Sequence, residues 1–148
     1  MKFSLLTNNT KCDIIKSWEK LLIKIKECLV RVYMVEKKYV CKVIRQYFTE
    51  RERNYDAEYS ASPTRVNLLY LAKEKENHYA VSEALKKFCT KYGDRGDFYL
   101  KMISEYFGKY GRSAISLSME YCLSESSVYV VIRDFVHMTA DELGIKLK

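Results

Sequence analysis

Residues 114–133 read AISLSMEYCLSESSVYVVIR, and this stretch decides the expected fold of the C-terminal third. Two helices that pack across a tight turn need apolar side chains at fixed inward offsets. When Ser118 is taken as the small residue at the point of close helix contact, every inward position is apolar. These positions are Leu117, Tyr121, Leu123, Val128 and Val131. The spacing therefore predicts a helix-turn-helix at residues 114–133.

The start of the second helix of this motif carries its own signal. Ser124 stands where a helix N-cap is needed, and Ser127 follows three residues later. We therefore expect the second helix to run from Glu125 to about Met138. Its inward residues would be Val128, Val131, Ile132 and Phe135.

Two segments of this region resemble known regulators. The string LSESSVY at residues 123–129 resembles the turn and start of the recognition helix in region 4 of sigma factors and in related phage regulators. The tail FVHMTADELGI at residues 135–145 is similar to the closing segment of ArpU and RinA type phage transcriptional regulators. The motif resemblance covers about residues 98–145. Over residues 1–64 the similarity is one of architecture, since these regulators also place a helical N-terminal region and a polar linker before the helix-turn-helix. The resemblance implies a phage or prophage-type transcriptional regulator that binds duplex DNA.

The chain departs from the pattern of these regulators at two positions. Cys122 stands where the turn usually has glycine, and Ser118 where the first helix usually has alanine. A non-glycine residue at positive φ costs roughly 1 kcal/mol. The sequence therefore predicts a strained but tolerated turn at Cys122.

Charge is unevenly distributed along the chain, whose net charge is +7. Residues 1–53 hold 13 Lys and Arg against 6 Asp and Glu, whereas residues 113–148 hold 3 against 5. Between Ser113 and Ile145 the single basic residue is Arg133. Duplex binding usually depends on several Lys or Arg contacts to phosphate. On its own, the predicted motif would therefore bind DNA weakly.

Two explanations of this charge pattern stay open. In the first, basic residues just before the motif and in the first helix contact phosphates while the exposed face of the second helix reads bases. Arg133 would suit guanine and Glu125 cytosine. The candidate DNA-binding residues are Lys101, Lys109, Arg112, Ser124, Glu125, Ser126, Ser127, Tyr129 and Arg133. In the second, the fold serves contact with a protein such as RNA polymerase.

The N-terminal third predicts a long basic helix. Residues 12–53 contain no proline or glycine, and apolar residues recur at steps of three and four. This is one helix of about 40 residues, roughly 60 Å long, or two helices joined near residues 34–37. Such a length predicts a helical hairpin or a partner helix. Packing on its own domain and dimerisation are equally open, because the heptad repeat has near-misses.

The remaining segments complete an all-α expectation, since no strand-like alternation persists. We predict a basic N-terminal helical arm at residues 1–53, a polar linker at 54–64 and a helical domain at 65–148. A helix at about residues 64–92 is followed by a turn at 93–97 and a helix at 98–107. The buried candidates of the helix at 64–92 are Val66, Leu69, Tyr70, Tyr79, Val81, Leu85 and Phe88.

Sites for catalysis and cofactors are not indicated. His78 and His137 have no neighbours at metal-ligand spacing, and no glycine-rich phosphate loop is present. We therefore expect no enzyme, no metal and no cofactor. Five scattered cysteines without a C-x-x-C pair favour a reducing compartment, so we expect a cytoplasmic protein. No apolar run reaches the roughly 18 residues of a membrane span, so no membrane partner is expected.

The leading hypothesis has two rivals. Its expected partners are duplex DNA and a second copy of the chain. The first rival is a protein-binding adaptor or inhibitor whose basic first helix docks on an acidic partner. The second is a small phage DNA-packaging subunit, which would also combine a helix-turn-helix with helical arms for assembly.

Overall fold

The computed structural model describes residues 8–50, 53–61 and 64–147, with side chains from residue 11 onward. Six α-helices and one 3₁₀-helix account for the regular structure of these residues. In chain order they are α1 (Asn8–Thr49), α2 (Tyr55–Ala61), α3 (Arg65–Tyr92), a 3₁₀-helix (Gly93–Arg95), α4 (Gly96–Phe107), α5 (Ala114–Glu120) and α6 (Glu125–Glu142). No strand occurs among these residues, and the predicted all-α class is confirmed.

Helix α1 is continuous through residues 34–37, because neither proline nor glycine interrupts it. The alternative of a helical hairpin was therefore wrong. Internal contacts divide the chain between Val35 and Glu36, whereas the sequence suggested a division near residue 53.

In the first unit, which ends at Val35, α1 has no core to cover its apolar residues. Every described side chain from Lys11 to Val32 is exposed. Trp18 is 62% exposed and Leu29 is 64% exposed, although both belong to the apolar stripe seen in the sequence. Within its own unit, this part of α1 is an amphipathic helix with an uncovered apolar face.

The second unit, residues 36–148, has a continuous hydrophobic core. Helix α3 packs on α6 and α4, and α5 packs on α6. The ring of Phe135 lies 5.7 Å from that of Phe88 and 6.3 Å from that of Phe48, which joins α6 to α3 and to the end of α1. Of the five predicted inward positions, Leu117, Val128 and Val131 are buried, and Tyr121 and Leu123 are half-buried against the same core.

The stretch predicted as a linker, residues 54–64, contains helix α2. The side-chain oxygen of Asn54 accepts a hydrogen bond from the Ala57 amide at 3.1 Å and so caps its start. Arg53 pairs with three carboxylates from successive segments, at distances of 2.7 to 2.9 Å. They are Glu50, Glu58 and Glu74. This network ties the end of α1 to α2 and α3.

Helix α3 buries only its second half. Its buried residues lie between Asn77 and Phe88, where the core reaches it. Val81 and Phe88 are buried and Leu85 is half-buried, as expected. The prediction of burial was wrong for four residues. Three of them precede the segment of α3 that the core reaches, and Tyr79 lies within that segment but on the exposed side of the helix. The exposed four are Val66, Leu69, Tyr70 and Tyr79.

Candidate nucleic-acid interface

The turn between α5 and α6 spans residues 121–124 and is closed by its backbone. The amide of Leu123 donates to the carbonyl of Ser118 at 3.0 Å, the bond that ends a helix when the residue before it is left-handed. That residue, Cys122, has a φ of 55°. The predicted positive φ at Cys122 is therefore confirmed, and the turn holds the two helices in a fixed relation.

Both helices begin on serine caps. The hydroxyl of Ser124 accepts a hydrogen bond from the Ser127 amide at 3.1 Å, as the sequence predicted. Ser113 does the same for the Ser116 amide at 3.2 Å and starts α5. The caps satisfy backbone amides that would otherwise lack partners, so the first turn of α6 is well defined.

Helix α6 separates into a buried and an exposed face. Val128, Val131 and Ile132 pack into the core. The six residues of this region that were predicted to contact DNA are all exposed, and Tyr129 is 51% exposed. They are Ser124, Glu125, Ser126, Ser127, Tyr129 and Arg133. We call this set the α6 outer face.

Much of the negative charge around α6 is paired with cations from earlier segments. Lys91 reaches Asp134 at 3.1 Å, Lys87 pairs with Glu142, and Glu120 pairs with Arg112. Burial alone would raise the pKa of Asp134, but hydrogen bonds from Tyr92 and Lys91 hold it below its usual value. Three of the carboxylates in this acidic region are thus neutralised by cations of the same chain.

The three basic residues expected before the motif differ in their surroundings. Arg112 lies 3.3 Å from Glu105, contacts Glu120 and donates to the Ser116 hydroxyl at 2.8 Å. Its guanidinium is therefore occupied within the protein. Lys101 and Lys109 are exposed, and neither forms an ion pair with another described residue. The Lys109 ammonium lies 5.8 Å from the centre of the exposed Tyr110 ring. Neither ammonium group is neutralised by a carboxylate of the described residues, so both can meet an external anion.

Tyr121 fastens the turn to α4. Its hydroxyl donates to the carboxylate of Glu105 at 2.9 Å, and its ring lies 5.1 Å from that of Phe98. Burial, together with this hydrogen bond, raises the pKa of Tyr121 to about 12. The hydrogen bond to Glu105 and the contact with Phe98 attach the α5–α6 turn to α4.

Two further residues belong to the surroundings of the α6 outer face. Burial raises the pKa of Tyr106 on α4, the phenol of Tyr129 adds to the effect, and the positive charge of Arg45 opposes it. Arg45, on the part of α1 that lies in the second unit, is therefore within electrostatic range of the same tyrosine as Tyr129. The sequence marked Arg45 only as one of the basic residues of the first helix, because no local pattern relates it to α6.

No protein-family model, curated protein or solved structure matched this chain. Across the described residues, no helix is both long enough and apolar enough to cross a membrane. Within the same residues, no group of three or more His, Cys, Asp and Glu side chains is arranged to hold a metal ion.

Proposed function

We propose that this chain binds duplex DNA through α5 and α6 and acts as a transcriptional regulator of phage or prophage type. The observation that supports this most is the α6 outer face, a polar surface that begins at a capped helix N-terminus directly after a tight turn. Recognition helices of helix-turn-helix proteins present such N-terminal residues to the major groove.

In this proposal the α6 outer face reads base edges. Arg133 donates two hydrogen bonds to guanine, and Glu125 accepts one from the amino group of cytosine. Tyr129 lies one helical turn before Arg133, so both side chains reach the same stretch of groove. The serine hydroxyls at the start of α6 contact either base edges or the neighbouring phosphate.

Phosphate contact comes from outside the motif. Lys101 on α4 and Lys109 after it are exposed and form no ion pair with another described residue, and Arg45 is exposed and within electrostatic range of Tyr106. Arg112 instead stabilises the position of α5. This assignment supplies the positive charge that residues 113–148 lack.

A homodimer completes the proposal. Two copies related by a two-fold axis would present two recognition helices to half-sites about 34–36 Å apart, or a multiple of that spacing. Contact with RNA polymerase would follow from binding next to a promoter.

Gel retardation of a random-sequence duplex across a salt series tests DNA binding. Wild-type affinity should fall steeply with salt, and Lys101→Ala or Lys109→Ala should each reduce the slope of log K against log salt by about 1. Lys86→Ala is the matched control, because that exposed ammonium pairs with Glu83 at 2.9 Å. It should leave the slope unchanged.

Absence of retardation at low salt would overturn the proposal. The protein-binding adaptor would then be favoured if the chain captured an acidic partner through its basic first helix. Equal loss of slope in Lys86→Ala would show that the binding surface lies elsewhere.

A further inference from the structure

Between residues 14 and 35 the seven-residue repeat of α1 has an apolar residue at every core position, and the departures at Lys11 and Lys42 lie outside this stretch. Seven apolar residues, spaced alternately four and three positions apart, lie on one side of the helix, and we call them the α1 seam. They are Ile14, Trp18, Leu21, Ile25, Cys28, Val32 and Val35. A second apolar row follows beside it at Ile15, Leu22 and Leu29. All ten side chains are exposed in the single chain.

We propose that the α1 seam pairs with the same seam of a second copy as a parallel, in-register coiled coil, in which Cys28 of one copy faces Cys28 of the other. This inference specifies the interface of the homodimer in the proposed function, and it rests on that proposal for the identity of the partner. It does not depend on DNA binding.

The period of the seam favours a partner helix over a flat surface. A repeat of 3.5 residues keeps a seam facing another helix only when the two helices supercoil. A helix lying on a membrane needs an apolar face but no such period. One core position holds the β-branched residues Ile25 and Val32, and Leu21 stands at the other, which is the combination that favours two strands. The remaining residues of the second core position are Ile14, Cys28 and Val35.

The flanking charges decide the direction of pairing. The row on the other side of the seam contains Lys24 and Arg31. In a parallel pair, each residue of this row lies beside the residue five positions later in the second copy. Arg31 then pairs with Glu36 of the second copy, and the aliphatic part of the Lys24 side chain covers Leu29 of the second copy. In an antiparallel pair, the row would face itself and set cation against cation. The charges therefore favour the parallel arrangement.

Sedimentation equilibrium of the full chain tests the interface with two substitutions of the same kind. Ile25→Lys places a charge in the seam, whereas Ile23→Lys places it on the outer side of the same helix turn. Both side chains are exposed in the single chain, so neither change disturbs the core of the second unit. Wild type and Ile23→Lys should have twice the monomer mass, and Ile25→Lys should be monomeric.

Cross-linking tests the register. In the Cys12→Ser and Cys122→Ser double variant, Cys28 remains as the exposed cysteine, and mild oxidation should give a disulfide-linked dimer. The matched variant keeps Cys12, which lies off the seam, and replaces Cys28 and Cys122 by serine. Its yield should be lower by about tenfold, because its thiols are held apart.

Each other outcome overturns the inference in a distinguishable way. A dimer without Cys28 cross-linking contradicts the parallel register but leaves the homodimer. A trimer or larger mass contradicts pairing and favours a packaging subunit. A monomer that binds vesicles of anionic phospholipid makes the seam a membrane surface. Loss of DNA retardation with an intact Cys28 cross-link contradicts the proposed function alone.

Discussion

Residues 14–35 of α1 and helix α6 are both amphipathic, but they use their apolar faces differently. In α6, Val128, Phe135 and Val136 are buried in the core of their own chain. In α1, the residues at equivalent spacing, such as Leu21 and Ile25, are about half exposed. The same sequence pattern therefore forms an internal core in one helix and an uncovered surface in the other.

This difference assigns the two helices different roles. Because α6 is anchored by its apolar face, its polar outer face is held rigidly and can present side chains to a ligand. Because the first unit has no core of its own, the α1 seam can be buried only by a partner outside that unit. We therefore expect substitutions in α6 to change the stability of the single chain and substitutions in the α1 seam to change association.

The largest expected effect is at Phe135. Phe135→Ala removes a fully buried ring that contacts Phe48 and Phe88, and should lower the free energy of unfolding by about 3–5 kcal/mol. Urea denaturation followed by circular dichroism measures this loss. Tyr129→Ala on the outer face of the same helix should change stability by about 0.5 kcal/mol or less. Equal losses at both positions would contradict the division of α6 into two faces.

A smaller loss is expected at the N-cap of α6. Ser124→Ala removes the acceptor of the Ser127 amide and should destabilise the chain by about 1 kcal/mol. Ser126→Ala is the control, since its hydroxyl contacts only the Ser124 hydroxyl among the described residues. Chemical denaturation of both variants would reveal the difference, and an equal effect would show that the cap contributes nothing.

A gain in stability is expected at the turn. Cys122→Gly removes the steric cost of a positive φ and should stabilise the chain by about 0.5–1 kcal/mol. Thermal unfolding should show a higher midpoint for this variant. Cys122→Ala, which keeps a Cβ atom, should show no gain, and a comparable gain there would mean that the thiol rather than the backbone was unfavourable.

The smallest effect concerns pH and His78. Burial lowers the pKa of His78, whose Nδ1 is buried without a hydrogen-bond partner among the described residues. As pH falls, His78 is therefore protonated in the unfolded chain before it is protonated in the folded chain. The stability that neutral His78 contributes is complete above the unfolded-state pKa and is lost as pH falls below it. His78→Gln should make the free energy of unfolding less dependent on pH between about 7.5 and 5. An unchanged dependence would exclude His78 as its source.

Local features of the fold were predictable from the sequence, and distant ones were not. The inward positions of α5 and α6, the Ser124 cap and the strain at Cys122 depend on residues within a few positions of each other. The pairing of Arg112 with Glu120 and Glu105 depends on how α4 meets α5, so the sequence left its guanidinium available. The electrostatic effect of Arg45 on Tyr106 likewise requires the packed fold.

Residues 14–35 also show what a local sequence pattern can and cannot predict. Their periodicity predicted a helix, and α1 is one. Periodicity could not decide whether the apolar face would meet its own domain, because that depends on where the core ends. In the second unit α1 buries Val40, Val43 and Ile44, whereas the described side chains of the first unit have no core of their own.

Selection of bound sites from a random duplex library tests the central proposal most directly. The wild-type chain should enrich a sequence with two half-sites one helical turn apart, or a multiple of it. Arg133→Ala should relax the preference at one position of each half-site by about 1–3 kcal/mol while its circular dichroism spectrum is unchanged. If wild type enriches no sequence, or if Arg133→Ala and Tyr129→Ala both select the wild-type site, the α6 outer face does not read DNA.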